Sequence, residues 1–574
     1  MNAATQGLVR LPLWRARIVL ALLLAAFAVL AARSVYLQAM RTDFLQEKGD
    51  ARYSRVIDVP ATRGRILDRH GDALAVSTPV KSVWAIPSEA HLSPSDKAKL
   101  ARLLGLDKGE LDRKLADATR DFVYLKRQLP PETADAVAAL GLQGIDQHRE
   151  YRRYYPGGEV TAHVIGFTGV DDAGQEGVEL AFQRHLVGKP GSRRVIKDRL
   201  GRIVEDVESI RAAQDGRDLA LSIDGKLQSL AFGALKAAVQ QHRAKAGALV
   251  VLDVRTGEIL ALANVPSFNP NNRARLSGAQ LRNRAVTDLF EPGSTLKPFT
   301  VALALETGKV TPATLVATGA GRLNIANHTI RDLHPAASLS VAQVIQKSSN
   351  VGSAKLALAM PREAMWHLYR GVGFGEAPQL GFPGAAAGRL RHYRSWRPIE
   401  QATMAYGHGI SLSLVQLARA YTVFARDGEL VPLTLVKTDT AASGDKVLST
   451  QTARAVRAML ELAVQPGGTG PRARVMGWRV GGKTGTAHKP ENGGYAADKY
   501  LASFVGFAPA SAPRLVIAVM IDEPAAGQHY GGAVAAPVFA QVMGGALRML
   551  GAPHDAPLEP VELPGDADEL KEST

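Results

Sequence analysis

The 574-residue chain contains no cysteine. That absence excludes disulfides, thiolate metal ligands and a cysteine nucleophile. It also suits an exported chain, which then cannot mispair thiols in an oxidising compartment. No cluster of His, Asp and Glu has the spacing of a metal site, so neither a metal nor another cofactor is expected. No internal repeat is present. Acidic residues are in deficit: 54 Asp and Glu against 69 Lys and Arg leave a net charge of +15. Such a charge invites an anionic partner, whether nucleic acid, anionic lipid or a wall polymer. Length suggests two or three domains, and 46% hydrophobic residues suit a substantial core.

The N-terminus indicates the compartment. Ile18 to Ala32 is an unbroken apolar run, inside a stretch from Leu13 to Met40 interrupted mainly by Arg15, Arg17 and Arg33. A bilayer needs about 20 residues. Ser34-Val35-Tyr36-Leu37 completes that length, with Arg33 snorkelling to the outer interface. Arg10, Arg15 and Arg17 precede the run and keep the N-terminus cytoplasmic. A cleaved signal peptide is the rival, but Ala31-Ala32-Arg33 makes a poor cleavage site. The expectation is a cytoplasmic tail over 1–12, a single span over 13–40, a charged helical stalk over 41–56, and export of the rest. Export removes the nucleic-acid reading of the charge.

A new unit opens at Ile57 and runs to 217. Asp68-Arg69-His70-Gly71-Asp72 between apolar runs is a turn, with Ala73–Val76 as the return strand. Polar helices are expected over 93–104 and 108–118. Nothing in this unit assembles a nucleophile, a base and oxyanion donors, so it reads as a pedestal or docking module. A second unit spans 218–550. Helical spacing marks 226–242. Ala248–Leu252 and Glu258–Leu262 flank Arg255-Thr256-Gly257 as a hairpin. A second hairpin joins Tyr500–Phe507 to Leu515–Ile521, and a last helix covers about 534–550. Strands at both ends of this unit, with a helical block over 285–475 between them, imply one antiparallel sheet of about five strands carrying that block. The tail from Gly551 to 574 is rich in Pro, Asp and Glu and is expected to be disordered.

Three short motifs carry chemistry. In Glu291-Pro292-Gly293-Ser294-Thr295-Leu296-Lys297-Pro298-Phe299, a hydroxyl and an amine stand three residues apart, one helical turn. Pro298 belongs in a first turn, which places the helix start near Ser294. A serine with a lysine one turn on is an activated-nucleophile pattern, though alone it equally describes an N-cap and a solvated lysine. Ser348-Ser349-Asn350 and Lys483-Thr484-Gly485-Thr486 follow in order. Ser-x-x-Lys, then Ser-Asp-Asn, then Lys-Thr-Gly is the ordered trio of penicillin-interacting serine enzymes. Ser349 stands where that trio has Asp. Ser348 with Asn350 also fits an ordinary helix cap, and Lys483 to Thr486 a plain edge strand. His408 and His488 border the motifs and read as packing or rim residues.

With Arg63-Gly64-Arg65-Ile66-Leu67-Asp68-Arg69 and Gly174 to Glu179 in the pedestal, Tyr406-Gly407-His408-Gly409, and Gly531 to Phe539, the chain resembles the class B penicillin-binding proteins. Within them it is similar to the division-specific D,D-transpeptidase branch. The resemblance implies a mixed α/β (α+β) chain: a serine transpeptidase/β-lactamase-like domain with a five-stranded antiparallel sheet and helical block, preceded by a pedestal and one transmembrane helix. It implies an inner-membrane enzyme with a periplasmic catalytic domain that cross-links peptidoglycan stem peptides during septation and is acylated by β-lactams. Anchor and pedestal would dock an FtsW-type glycan polymerase and other division proteins; no glycosyltransferase domain is evident. Ser294 would be the nucleophile and Lys297 a base, neutral because burial and the Lys483 cation disfavour its charge. Whether Lys297 or another group takes the first proton stays open. Ser348 and Asn350 would orient Lys297 and relay the proton. Lys483, Thr484 and Thr486 would hold the substrate carboxylate, amides of Ser294 and Thr486 would form the oxyanion hole, and Gly485 would admit a substrate backbone. The rivals are a D,D-carboxypeptidase or β-lactamase-like hydrolase, and a β-lactam sensor or scaffold.

Overall fold

A computed structural model describes residues 12–40, 54–197, 203–274, 276–491, 493–559 and 570–571. They fall into two compact units. The first comprises Met1–Ala61, Ser82–Arg149 and Gly188–Asp215; the second comprises Thr62–Lys81, Glu150–Val187 and Gly216–Thr574.

In the first unit, Leu13–Val35 is an α-helix that continues as a π turn over Tyr36–Met40. Within it, Leu13–Gln38 is long and apolar enough to cross a membrane. The stalk expected over 41–56 lies mostly outside the described residues; its end, Ser54–Val59, is a strand paired with Gly191–Lys197. The two polar helices form as Pro94–Leu104 and Lys108–Leu115. Each has its N-cap: Ser93 Oγ accepts from the Asp96 amide at 3.1 Å, and the Asp107 carboxylate accepts from the Glu110 amide at 2.6 Å. Their apolar stripes put Leu100, Leu104 and Leu111 against Leu125 and Val137 in a small core.

In the second unit the two pedestal motifs meet. Glu179 is buried between two arginines, receiving Arg63 Nε at 2.6 Å and Arg153 Nε at 2.6 Å. The guanidiniums spend their other donors on carbonyls, Arg63 on Asp172 and Glu179, and Arg153 on Gly64. Each buried charge is thereby paired and hydrogen-bonded. Further bonds tie this stretch onward: the Tyr155 amide donates to Asn271 Oδ1, and His163 Nε2 donates to the Gln280 carbonyl at 2.7 Å. Residues 62–81 and 150–187, within the stretch the sequence reads as one pedestal, therefore cluster with the catalytic residues.

The catalytic sheet is β1 (Ala246–Asp253), β2 (Ile259–Val265), β3 (Gly481–Glu491), β4 (Gly494–Ala508) and β5 (Leu515–Asp522). Its order is β2-β1-β5-β4-β3, antiparallel throughout, with β3 at an edge. Every residue of β1, β2 and β5 is buried, which explains why these strands read as continuous apolar runs rather than alternating ones. Five helices concern the site: α1 (Gly225–Gln241), α2 (Lys297–Glu306), α3 (Asn350–Leu358), α4 (Leu414–Ala425) and α5 (Ala536–Met549). Alternate strand residues serve different cores. Leu249, Val251 and Phe504 pack with Leu235 of α1 and Phe539 of α5. Val250, Leu252 and Val505 pack with Leu417 and Phe424 of α4. The helix after Ser294, α2, is central: Phe299 meets the rings of Phe374, Tyr421 and Phe424 at 5.5, 5.6 and 4.9 Å.

The tail departs from expectation at its start. Residues 551–559 are seated on the domain: Trp478 Nε1 donates to the Pro553 carbonyl, and Asp555 accepts from the Arg479 amide and the Ser511 hydroxyl. Paired backbone and an aromatic contact from His554 to Trp478 fix this stretch despite its composition. Residues 560–569 and 572–574 lie outside the described residues.

Candidate active site

Ser294 stands in a single 3₁₀ turn, Gly293–Leu296, and the α-helix begins only at Lys297. The start is thus one turn later than the sequence suggests. A 3₁₀ turn eclipses residues i and i+3, so the hydroxyl and the amine still meet, with Lys297 Nζ 2.8 Å from Ser294 Oγ. Gly293 at φ 56 turns the chain into this position, 3.3 Å from the Thr486 carbonyl as measured from a Cβ built there.

The second motif closes around the same lysine. Ser348 adopts φ 58, a left-handed conformation that is costly for a residue with a Cβ. It aims both of its oxygens at one target: Lys297 Nζ donates to the Ser348 carbonyl at 2.5 Å and to its Oγ at 2.9 Å. Ser348 Oγ is also 3.0 Å from Ser294 Oγ. Two hydroxyls and one amine thus form a closed triangle, and all three residues are buried, with Ser294 3% exposed. The helix cap in this motif is Ser349, whose Oγ accepts from the Gly352 amide and donates to Asp332 at 2.6 Å. Asp332 also receives the Val351 amide at 2.9 Å, pinning the start of α3.

Asn350 is not brought to Lys297. Its Nδ2 reaches the Arg331 carbonyl at 3.4 Å, and its buried Oδ1 accepts no hydrogen bond among the described residues. That acceptor is left for a donor from outside.

The third motif lies on edge strand β3. Lys483 is fully buried and donates to Thr484 Oγ1 at 3.1 Å and to Thr469 Oγ1 at 3.3 Å. Thr484 and Thr469 hydroxyls are 2.7 Å apart. Thr486 Oγ1 accepts from the Gly531 amide at 3.0 Å. Gly485 has an internal reason to be glycine. A Cβ there would come within 2.5 Å of Ser503 Oγ, 2.9 Å of the Pro292 carbonyl and 2.9 Å of Thr295 Cγ2. Its missing side chain lets the Ser294 turn lie flat against β3.

Glu291 braces that turn from the other side. Its carboxylate accepts from the Gly409 amide at 2.8 Å and the Tyr495 hydroxyl at 2.9 Å, with His408 Nδ1 at 3.4 Å. Burial pushes this carboxyl up, but those partners outweigh it and hold it below the ordinary carboxylate range. His408 therefore packs and braces, and His488 donates to the Ala496 carbonyl, a strand-side role. Asp332 and Thr469 carry site geometry without belonging to any motif. Glu291, inside the Ser294 stretch, and Gly531, which opens the stretch to Phe539, had a signal in the sequence. Among the described residues no group of His, Asp and Glu could hold a metal ion.

Comparisons with known proteins show the family. Residues 247–544 match the penicillin binding protein transpeptidase domain, and residues 58–221 match the penicillin-binding protein dimerisation domain. The chain belongs to the class B penicillin-binding proteins. It is 46% identical over 95% of its length to the probable peptidoglycan D,D-transpeptidase PenA of Neisseria gonorrhoeae, covering 94% of that protein. It is 44% identical over 95% of its length to the peptidoglycan D,D-transpeptidase FtsI of Escherichia coli, covering 93% of it. Among solved structures, the apo transpeptidase domain of Burkholderia pseudomallei penicillin-binding protein 3 matches with a TM-score of 0.55 and 53% identity. That match covers 59% of this chain and 98% of the other. The family assignment accounts for all three motifs and for the pedestal motifs at once.

Proposed function

We propose that this class B penicillin-binding protein is a serine D,D-transpeptidase that cross-links peptidoglycan stem peptides during septal wall synthesis. The observation that carries the reading is the Ser294–Lys297–Ser348 triangle, with contacts of 2.8, 2.9 and 3.0 Å. Ser294 Oγ attacks the carbonyl carbon of the penultimate D-Ala while its proton passes to Lys297 Nζ, directly or through Ser348 Oγ. The C–N bond to the terminal D-Ala breaks, its nitrogen takes up the proton, and an ester remains on Ser294. An acceptor amine then attacks the ester, forming the cross-link amide and returning the proton to Ser294. Stabilisation of the developing oxyanion falls to the amides of Ser294 and Thr486. Lys483, Thr484 and Thr486 take the substrate carboxylate, and the unpaired Oδ1 of Asn350 accepts from a substrate amide. Residues 57–217 serve as pedestal and 218–550 as transpeptidase domain. The Leu13–Gln38 helix anchors the chain in the inner membrane with residues 1–12 cytoplasmic, because arginines cluster before the apolar run. Anchor and pedestal dock division partners, among them an FtsW-type glycan polymerase.

A β-lactam should acylate Ser294, and the adduct should persist, since Glu291 is already engaged by three partners and is poorly placed to activate a water. Full-length protein in detergent should show one added antibiotic fragment per chain by intact mass. Ser294→Ala should lose the adduct while keeping its melting temperature within a few degrees, because one cleft hydroxyl contributes little stability. Labelling that survives in folded Ser294→Ala would place the nucleophile elsewhere. Rapid return to the unmodified mass, with excess antibiotic consumed, would show a hydrolase instead.

A further inference from the structure

We propose that a cavity beside the Ser294 turn receives the part of the donor peptide that precedes its two D-Ala residues, and that Arg389 selects donors carrying a carboxylate there. The inference rests on the reading of this site as a peptide-transfer centre. The cavity measures about 360 Å³, within the range of small-molecule sites. It adjoins the site at two points. Glu291, three residues before Ser294, and Ala487, the residue after Thr486, both line it. A Cβ built on Gly293 would lie 3.7 Å from the Ala487 Cβ, so the Ser294 turn and β3 touch at its edge. The walls are largely apolar: Leu289, Phe290, Ile410, Pro490, Leu501 and Met520. Phe290, Ile410, Leu501 and Met520 are buried and belong to the core shared with α4, which gives the cavity a fixed floor.

The charges on the walls decide what such a cavity prefers. Its acidic groups are already engaged. Asp288 receives Arg282 and Arg284 at 2.5 and 2.9 Å, and Asp522 receives Lys489 at 2.7 Å. Glu291 holds the Gly409 amide, the Tyr495 hydroxyl and His408. Lys489, the other ammonium or guanidinium on the walls, is shared between Asp522 and Glu523. Arg389 differs from all of these. Its backbone is fixed by reciprocal hydrogen bonds with Ser411, at 2.7 and 3.1 Å. Its exposed guanidinium has neither an ion pair nor a hydrogen bond among the described residues. A guanidinium presents a fork of donors that matches a carboxylate. An unpaired one at the wall of an apolar cavity therefore favours one class of occupant, an apolar stretch that ends in a carboxylate. An amine in the same place would meet carboxylates that already have their cations.

The test uses full-length protein in detergent and two penicillins that share one nucleus. One carries an adipoyl side chain, which ends in a carboxylate; the other carries hexanoyl, with the same carbon count and no charge. Second-order acylation constants are measured in competition with a fluorescent penicillin, and the ratio of the two is the readout. That ratio reports differential binding in the transition state, and an exposed ion pair corresponds to about threefold. The adipoyl compound should therefore react about threefold faster, and the preference should shrink at high salt. In Arg389→Gln the ratio should fall to about one, with partial recovery in Arg389→Lys. Arg394→Gln removes the same charge from a residue that does not line the cavity and should keep the ratio. A ratio of one or less in the parent, or a preference that survives Arg389→Gln, would overturn the proposal. If no penicillin acylates the protein, the transpeptidase reading fails, and calorimetry with adipoyl- and hexanoyl-D-Ala-D-Ala judges the cavity. Tighter binding of the adipoyl peptide that disappears in Arg389→Gln would support it; equal binding, or none, would sink it.

Discussion

Replacing Gly531 by Ala should damage catalysis as well as stability. A Cβ at this position would lie 2.3 Å from the Ser503 carbonyl oxygen, 2.6 Å from the Gly485 carbonyl oxygen and 3.1 Å from the Gly485 amide nitrogen. All three atoms are backbone in β3 and β4, paired to each other through Gly485 and Ser503, so none can rotate away. Ordinary contact begins near 3.4 Å, so about 1 Å of separation has to be found by moving either the Gly531 turn or the β3 edge. Overpacking of this kind costs about 1–3 kcal/mol. Either movement stretches the 3.0 Å bond from the Gly531 amide to Thr486 and shifts the strand that faces Ser294. A displacement of about 1 Å at a reacting centre can cost about 100-fold in rate. The assay is the second-order acylation rate constant with a fluorescent penicillin, beside urea unfolding followed by circular dichroism. Acylation within about threefold of the parent, in a variant destabilised by the expected amount, would refute the claim that Gly531 sets the position of β3.

Two further outcomes concern stability. Glu179→Ala leaves Arg63 and Arg153 buried without their carboxylate, and should cost about 3–5 kcal/mol in urea unfolding; a loss under about 1 kcal/mol would mean the triad is dispensable. His163 donates to the Gln280 carbonyl, and burial pulls its pKa down to about 4 from 6.5. The unfolded chain therefore takes up a proton first as pH falls, so stability is full above 6.5 and declines toward 4. Between pH 7 and 5 the loss from this group should be about 2 kcal/mol. His163→Gln should flatten that part of the profile, and an unchanged slope would sink the assignment.

The parts of the fold that were legible are those set by local pattern. The five-stranded sheet could be read because β1, β2 and β5 are buried on both faces and show as apolar runs split by turn signals. The pairing of Ser294 with Lys297 could be read because three residues make one turn, whether α or 3₁₀. Two features could not be read. Residues 62–81 and 150–187 are tied to each other through Arg63 and Arg153 and to the catalytic unit through Tyr155 and His163, whose partners lie from 26 to 117 positions away. Spacing carries no trace of such bonds. The partner of Asn350 was also not legible: its Nδ2 reaches the Arg331 carbonyl, and motif order places a residue in a cleft without saying which atom it faces.

Each motif is held in place by a residue outside it, and this bears on what a motif match can prove. Asp332 fixes the turn that gives Ser348 its left-handed backbone, by accepting from Ser349 and Val351. Thr469 holds both Lys483 and Thr484, and Gly531 holds Thr486. Without Asp332 the energetic cost of φ 58 at Ser348 has less to offset it. The carbonyl that receives Lys297 at 2.5 Å would then turn away while the Ser-x-x-Lys spacing stayed intact. A chain can therefore keep all three motifs and lose the triangle. The site geometry depends on residues outside the motifs that reach them through one or two hydrogen bonds each, and on two glycines, Gly485 and Gly531, whose missing Cβ atoms let backbone meet backbone.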